Sequence, residues 1–285
     1  MYKIVTKRIL NPTMTQLEID APLVASKAKP GQFIILRVDE DGERIPLTIA
    51  GSNKKEGTVK IIYQVVGATT EKLNHLNEGD YLHDFVGPLG MPTKTDGIRK
   101  VCIIGGGAGC AIALPVAEEF SRLGAEVTSI IGFRNKDVVI LEDEFRKCSN
   151  NLIIMSDDGS YQRKGNVTIP LKEMLESGEK FDEIIAIGPL IMMKFVVLCA
   201  KPYNIPVTVS MNPIMIDGTG MCGCCRLTLV KEDGTRQVKF ACVDGPDFNG
   251  YEVDFDEAMS RSRQYYEFER KAHEKTCNLF KKGGC

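Results

Sequence analysis

The 285-residue chain carries 36 Lys and Arg against 38 Asp and Glu, with 43% hydrophobic and 26% charged residues. That length allows two domains and a small third module. The formal net charge of −2 gives no electrostatic case for nucleic acid or an anionic membrane. The opening "MYKIVTKRIL" is too short and too charged for a signal peptide, and no apolar run reaches the roughly 18 residues of a membrane span. Ten cysteines without an export signal point to a reducing cytoplasm. There, clustered cysteines bind metal more often than they form disulfides.

Residues 1–97 read as short strands. "QLEIDA" (16–21), "FIILRV" (33–38) and "TVKIIYQVV" (58–66) are β-branched or alternate apolar and polar, and "KPGQ", "DEDGE" and "NEGD" punctuate them. Strands at this spacing predict a small barrel. Only "TTEKLNHL" (69–76) looks helical, with threonines placed to cap it. In "RIPLTIA", Arg44 suits a phosphate through its bidentate fork, and Pro46, lacking an N–H, suits an edge strand beside a bound ring. In "GATTEKL", a helix start after Gly67 suits a pyrophosphate. The plainer reading is a surface arginine and a capped helix.

Residues 98–205 alternate strand and helix. "RKVCIIGGGAGCAIALPVAEEFSRLGAEVTSIIGF" is a buried strand, a glycine turn at 105–109, a helix over about 110–122 and a second strand. Glycines let backbone approach a diphosphate, and the helix N-terminus faces its charge. The strict G-x-G-x-x-G fingerprint fails, because Cys110 holds its third glycine position. No Asp or Glu ends the second strand. It runs into "GFRNK" instead, where Arg134 and Lys136 either meet a 2′-phosphate or are solvated. "NLIIMSDDGS", "TIPLKEMLES", "FDEIIAIGPLIMMKFV" and "IPVTVSMN" continue the alternation, which predicts a parallel sheet covered by helices. Ligands sit at the carboxyl ends of such strands.

The densest chemistry is "DGTGMCGCCR" (217–226) with "FACVDG" after it. Asp217-x4-Cys222-x2-Cys225-x16-Cys242 follows the plant-type two-iron spacing C-x4-C-x2-C…C, except that Asp217 stands in the first cysteine slot. Zinc is the competing ligand, but a zinc ribbon prefers two separated C-x2-C pairs or histidines. Disulfides or free thiols remain a third reading. Cys224, inside the C-x2-C interval, is left out of the donor set. Cys102, Cys110, Cys148 and Cys199 lie in apolar segments and read as small core residues, whereas Cys277 and Cys285 lie in a polar, exposed tail.

In this order, "RIPLTIA", "GGGAGCAIALP", "GFRNKDVVILEDEF", "MNPIMIDGTGMCGCCR" and "FACVDGP" resemble the ferredoxin–NADP reductase superfamily, and in particular its iron–sulfur flavoproteins. The resemblance covers nearly all of residues 1–255. It implies a β-barrel FAD domain at 1–97 and an α/β parallel-sheet NAD(P) domain at 98–209. A [2Fe–2S] module at 210–250 and a terminal helix and tail at 251–285 complete it. Asp217, together with "FACVDGPDFNGYEVDFDE", is most similar to the small subunits of NADH-dependent reduced ferredoxin:NADP+ oxidoreductases. The electron-transfer subunits of class 1B dihydroorotate dehydrogenases use four cysteines instead.

The resemblance further implies roles. Arg44, Pro46, Leu47 and Thr48 line FAD; Ile62, Tyr63 and Gln64 border its ribityl or adenosine part; Thr69 and Thr70 hold its diphosphate. Gly105, Gly107, Ala108 and Gly109, with Asp157, Asp158 and Gly188, receive the nicotinamide nucleotide, and Arg134 allows a 2′-phosphate. Asp217, Cys222, Cys225 and Cys242 hold the cluster. No side-chain acid or base is needed, because the flavin carries the chemistry between two-electron NAD(H) and a one-electron cluster. Electrons then pass to a larger FAD/[4Fe–4S] flavoprotein, and through that complex to ferredoxin. The charged tail "SRSRQYYEFERKAHEK" (260–275) reads as one helix that covers the cluster module or docks the partner. Two alternatives stand beside this: the matching subunit of an NAD-dependent dihydroorotate dehydrogenase, and a non-enzymatic subunit with structural zinc.

Overall fold

The computed structural model describes residues 1–282, with side chains as far as Glu274. The first seven strands are β1 (Tyr2–Asn11), β2 (Met14–Asp20), β3 (Phe33–Arg37), β4 (Arg44–Asn53), β5 (Thr58–Gln64), β6 (Tyr81–Leu82) and β7 (Asp84–Leu89). They form one antiparallel sheet in the order β6-β1-β2-β5-β4-β3-β7. Its two edges, β6 and β7, are consecutive in the chain and separated only by His83. The segment Tyr81–Leu89 therefore pairs with β1 at one edge and β3 at the other, which nearly closes the barrel. Helices α1 (Pro22–Lys27) and α2 (Ala68–Asn74) complete it, with Val24, Ala25 and Leu73 joining Ile19, Leu36, Ile61 and Tyr63 in its core.

The second sheet uses β8 (Lys100–Gly106), β9 (Glu126–Phe133), β10 (Asn151–Ser156), β11 (Arg163–Lys164), β12 (Glu183–Ile187) and β13 (Val207–Ser210), all parallel. Their order is β11-β10-β9-β8-β12-β13. Helices α3 (Gly109–Arg122) and α4 (Glu142–Cys148) pack on Ile103, Ile131 and Ile185. Helices α5 (Thr168–Glu176) and α6 (Leu190–Ala200) pack with Cys102, Ile104 and Ile184 on the opposite face. Strands covered on both faces read as near-continuous apolar runs, as "VCII" and "EIIAI" do.

A two-stranded hairpin follows, β14 (Arg226–Val230) and β15 (Arg236–Phe240), then a single turn α7 (Ala241–Asp244). Strand β16 (Asp247–Asn249) returns antiparallel to β13. The chain ends in α8 (Phe255–Ser262) and α9 (Tyr266–Lys282). The tail is therefore two helices rather than one, broken at Arg263–Tyr265. Nor does it cover the cluster module as a unit: α8 lies on α6 and β14, while α9 lies against α2 of the barrel. Tyr266 and Phe268 are exposed. Cys277 and Cys285 lie outside the described side chains. Among the described residues, no helix is long and apolar enough to cross a membrane.

Candidate cofactor and cluster site

The parallel sheet reverses direction of growth between β8 and β12, which is where open α/β sheets bind ligands. Gly105 pairs with Ile187 there, so the glycine loop and Gly188 stand side by side at the carboxyl ends of the two strands. Gly109 is dictated by close approach: a Cβ would lie 2.3 Å from the Ile187 oxygen and 2.7 Å from Gly188 Cα. Gly107, at φ +54°, has nothing near its Cβ position and leaves the loop backbone open. Cys110, which breaks the fingerprint, is fully buried beneath the loop, and burial pushes its thiol pKa well up.

Arg134, Asp157 and Asp158 share the next loop cluster. The Asp157 amide donates to Phe133 O, and the Asp158 amide to Arg134 O. Asp158 is committed to its own turn, accepting from the Ser160 amide at 2.9 Å and its hydroxyl at 2.7 Å; these bonds hold its carboxyl below the usual range. Arg134, Asp157 and Asp158 are all exposed.

On the barrel, residues Arg44–Thr48 of β4 pair only with β3, and pairing with β5 starts at Ile49. Pro46 thus lies on a half-strand with one free edge, as its missing N–H requires. Thr70 Oγ1 accepts from the amides of Val66 and Gly67 at 3.0 Å each, closing the start of α2. Thr69 Oγ1 donates to Glu43 at 2.8 Å instead of capping. Strand alternation separates the β5 candidates. Ile62 faces α3 and Gln64 is exposed, but Tyr63 turns into the barrel core, where burial raises its phenol pKa and its hydroxyl lies 3.5 Å from Asn74 Oδ1.

The cysteine loop lies between β13 and β14, with Cys242 on α7 after the hairpin. Cys225 and Cys242 are buried and in mutual contact; burial, then the Cys225 thiol, pushes Cys242 up to about 12. Cys222 is exposed, and its thiol is lowered, mainly by a hydrogen bond from the Cys224 amide. Asp217 accepts from the Thr219 amide at 2.9 Å and the Cys222 amide at 3.1 Å. The donors thus come in two pairs, Asp217 with Cys222 and Cys225 with Cys242. Two irons bridged by sulfides ask for two donor pairs. The donor set therefore fits a two-iron cluster.

This loop rests on the barrel. A Cβ on Gly218 would stand 2.7 Å from Ile35 Cδ1, and Ile35 pairs with Pro46. Phe33 and Ile35 share one core with Cys225, Cys242 and Val196. The half-strand Arg44–Thr48 and the cysteine loop are neighbours across a single strand, β3. A cleft of about 2150 Å³ lies elsewhere, beside the amino end of β12. None of the candidate cofactor or cluster residues lines it.

Known proteins agree with this arrangement. The iron–sulfur cluster binding domain of dihydroorotate dehydrogenase B matches residues 212–254. A dihydroorotate dehydrogenase B (NAD+) electron-transfer subunit homolog from Thermotoga maritima is 45% identical over 257 residues, covering 90% of this chain and 89% of the relative. The Streptococcus pneumoniae electron-transfer subunit is 31% identical, covering 86% and 94%. The chain belongs to the dihydroorotate dehydrogenase B electron-transfer subunit family. Within reach of this family lies a solved structure of the NADH-dependent reduced ferredoxin–NADP oxidoreductase, described for flavin-based electron bifurcation. It superposes with a TM-score of 0.89 at 43% identity, covering 96% of this chain and 97% of that one. The family's fold is thus that of ferredoxin–NADP reductases: a near-closed barrel, a parallel nucleotide sheet and a C-terminal iron–sulfur binding domain.

Proposed function

We propose that this protein is the electron-transfer subunit of an NADH-dependent ferredoxin:NADP+ oxidoreductase, moving electrons between NAD(H), FAD and a [2Fe–2S] cluster. The observation that carries the reading is the seating of the Asp217–Cys225 loop on β3, directly beside Pro46–Thr48 of β4. Two sites so placed can exchange electrons without any domain having to move. The likeness over 97% of the chain in the oxidoreductase structure supports the same assignment. The units are taken as 1–97 for FAD, 98–209 for NAD(H), 210–250 for the cluster and 251–285 for the tail.

In this reading Gly105, Gly107, Ala108 and Gly109 offer backbone to the dinucleotide, and Gly188 flanks them across the switch point. Arg44, Pro46, Leu47 and Thr48 line FAD. Ile62 and Gln64 flank it from the next strand, Tyr63 contributes only main chain, and Thr69 and Thr70 stand at the diphosphate end. Arg134, Asp157 and Asp158 border the nicotinamide nucleotide's adenosine. Asp217, Cys222, Cys225 and Cys242 would hold the cluster, as the pairs Asp217 with Cys222 and Cys225 with Cys242. When bound, FAD would supply the conversion between the two-electron chemistry of NAD(H) and single-electron transfer. The protein's part is to hold the three groups in fixed relation and to shield Cys225 and Cys242 from water.

The partner is a larger flavoprotein carrying FAD and [4Fe–4S] clusters, through which ferredoxin is served. The likeness to dihydroorotate dehydrogenase B electron-transfer subunits supports a second reading, in which the partner is a smaller dihydroorotate-oxidising flavoprotein. Anaerobic purification with metal, sulfide and flavin analysis tests the cofactors. About two irons, two sulfides and one FAD per chain are expected; a colourless, zinc-loaded chain would defeat the proposal. Co-purification with the larger flavoprotein, rather than a dihydroorotate-reducible one, decides between the partners.

A further inference from the structure

Arg44 has a second engagement that its place on the flavin strand does not explain. Its Nε donates to the Ile216 carbonyl at 2.8 Å, 172 positions along the chain. One terminal nitrogen also lies 3.8 Å from Asp84 Oδ2. Asp84 is fixed in turn by Arg37 Nε at 2.8 Å and the His83 ring at 3.0 Å. Arg44, Arg37 and Asp84 stand in a row across β4, β3 and β7, where Arg37 is the register partner of both others.

Two residues beyond Ile216, the loop meets the barrel again. Gly218, at φ +80°, lies so close that a Cβ would stand 2.7 Å from Ile35 Cδ1 and 2.8 Å from Leu89 Cδ1. Asp217 is therefore held between a polar contact on one side and a steric one on the other, both made by the barrel. The Ile216 side chain is 47% exposed, so packing of that side chain does little to fix the segment. The hairpin sets Cys225, through the bond from the Ala241 amide to the Cys225 carbonyl at 3.1 Å. The barrel sets the other end.

From this we infer that the FAD barrel positions Asp217, the oxygen donor in the cluster's first slot, with Arg44 as the positioning residue and Gly218 as its seat. The inference rests on the proposed function, because it needs Asp217 to face a cluster. A guanidinium suits the task. Its donors lie in a rigid plane, so Nε can serve Ile216 while other donors face Asp84 and a phosphate; a lysine ammonium offers one point charge and no fork. The arrangement ties the geometry around one iron to the strand that carries the flavin.

The test compares native protein, Arg44→Lys and Gly218→Ala as complete chains purified with their cofactors. FAD and iron contents are measured first, then the paramagnetic resonance spectrum and midpoint potential of the reduced cluster. Both variants are expected to keep two irons yet replace the native signal with a shifted one. A native chain without iron would overturn the proposed function, and this inference with it. If the native chain holds FAD and iron, and Arg44→Lys retains both with unchanged spectrum and potential, the inference alone fails. If Arg44→Lys loses FAD, Gly218→Ala decides, since Gly218 is not on the flavin strand: a native signal there overturns the inference and a shifted one supports it.

Discussion

Replacing Gly109 by Ala isolates the close approach at the switch point. In a helix, Ala is favoured over Gly by about 1 kcal/mol, so propensity alone predicts a gain. The surroundings predict the opposite. The new Cβ would meet the Ile187 oxygen at 2.3 Å and Gly188 Cα at 2.7 Å, and both are backbone atoms that no rotamer change can clear. Restoring ordinary contact requires the first turn of α3 to withdraw by about 1 Å, at a typical overpacking cost of about 1–3 kcal/mol. That turn carries the amides proposed to face the diphosphate of NADH, and a displacement of about 1 Å in such a site costs up to about 100-fold. The expected result is a KM for NADH raised about 10- to 100-fold in ferricyanide reduction, with FAD and iron contents unchanged. Gly107→Ala, in open space, should cost only the left-handed backbone penalty of about 1–2 kcal/mol. A Gly109→Ala enzyme whose KM stays within about twofold of native would show that helix–strand approach does not set dinucleotide binding.

Asp217→Cys should retain a two-iron cluster with a changed potential and paramagnetic spectrum; identical spectra would remove Asp217 from the donor set. In cluster-free protein at pH 8, iodoacetamide should label exposed Cys222 at least about tenfold faster than Cys242, whose thiol is buried and pushed up to about 12. Mass spectrometry showing the reverse order would refute the burial assignment. Asp84 is held below the usual carboxylate range because the His83 and Arg37 hydrogen bonds outweigh its burial. Its stabilisation is therefore present above the unfolded pKa of about 3.9 and lost as pH falls through the lowered folded value. Asp84→Asn should cost about 1 kcal/mol at pH 7, and the gap to native should close in acid; a gap independent of pH would refute the linkage. Glu183 has the opposite sign, since burial and then the Asp247 charge raise its pKa. The folded chain holds that proton more tightly than the unfolded chain, so Glu183→Gln should raise Tm at pH 8 and lose its advantage as pH falls. A lower Tm at pH 8 would defeat that reasoning.

The parallel sheet was legible because each of its strands and helices is written in one contiguous run, and "IIGGGAG" announces its own turn. The barrel was harder. Its closure depends on nine residues, Tyr81–Leu89, serving two edges on either side of His83, and neither piece is long enough to show a period. Tyr63 is different, because the signal was present: Ile61 and Tyr63 are two apart on one strand, so alternation alone places both inward. The break in the tail carries no Gly or Pro between Ser260 and Lys275, and only packing of α8 on α6 and α9 on α2 reveals it. The spacing Asp217-x4-Cys222-x2-Cys225 is a local pattern, but the bond between Arg44 and Ile216 joins two segments that no local pattern connects.

That long-range bond belongs to a wider scheme in which packing, not linkers, fixes the separation of the sites. One continuous core joins Phe33 and Ile35 of the barrel, Val196 of α6 and Cys225 and Cys242 of the cluster module. The segment Gly245–Asp247 then pins all three units. Met91, where the chain leaves the barrel, donates its amide to Gly245 O at 2.6 Å, and Met211, where it leaves the parallel sheet, donates to Pro246 O at 2.8 Å. Thr93 Oγ1 donates to Asp247 Oδ2 at 2.6 Å. Units joined only by flexible linkers are free to move relative to one another; units sharing a buried core and three such bonds are not. A carrier that hands electrons from one site to the next gains from that rigidity, because small displacements are costly wherever geometry sets a rate. The cleft of about 2150 Å³, lined by Lys94, Glu118 and Glu183, marks where these units stand apart, and the candidate sites lie outside it, as shared packing at β3 requires.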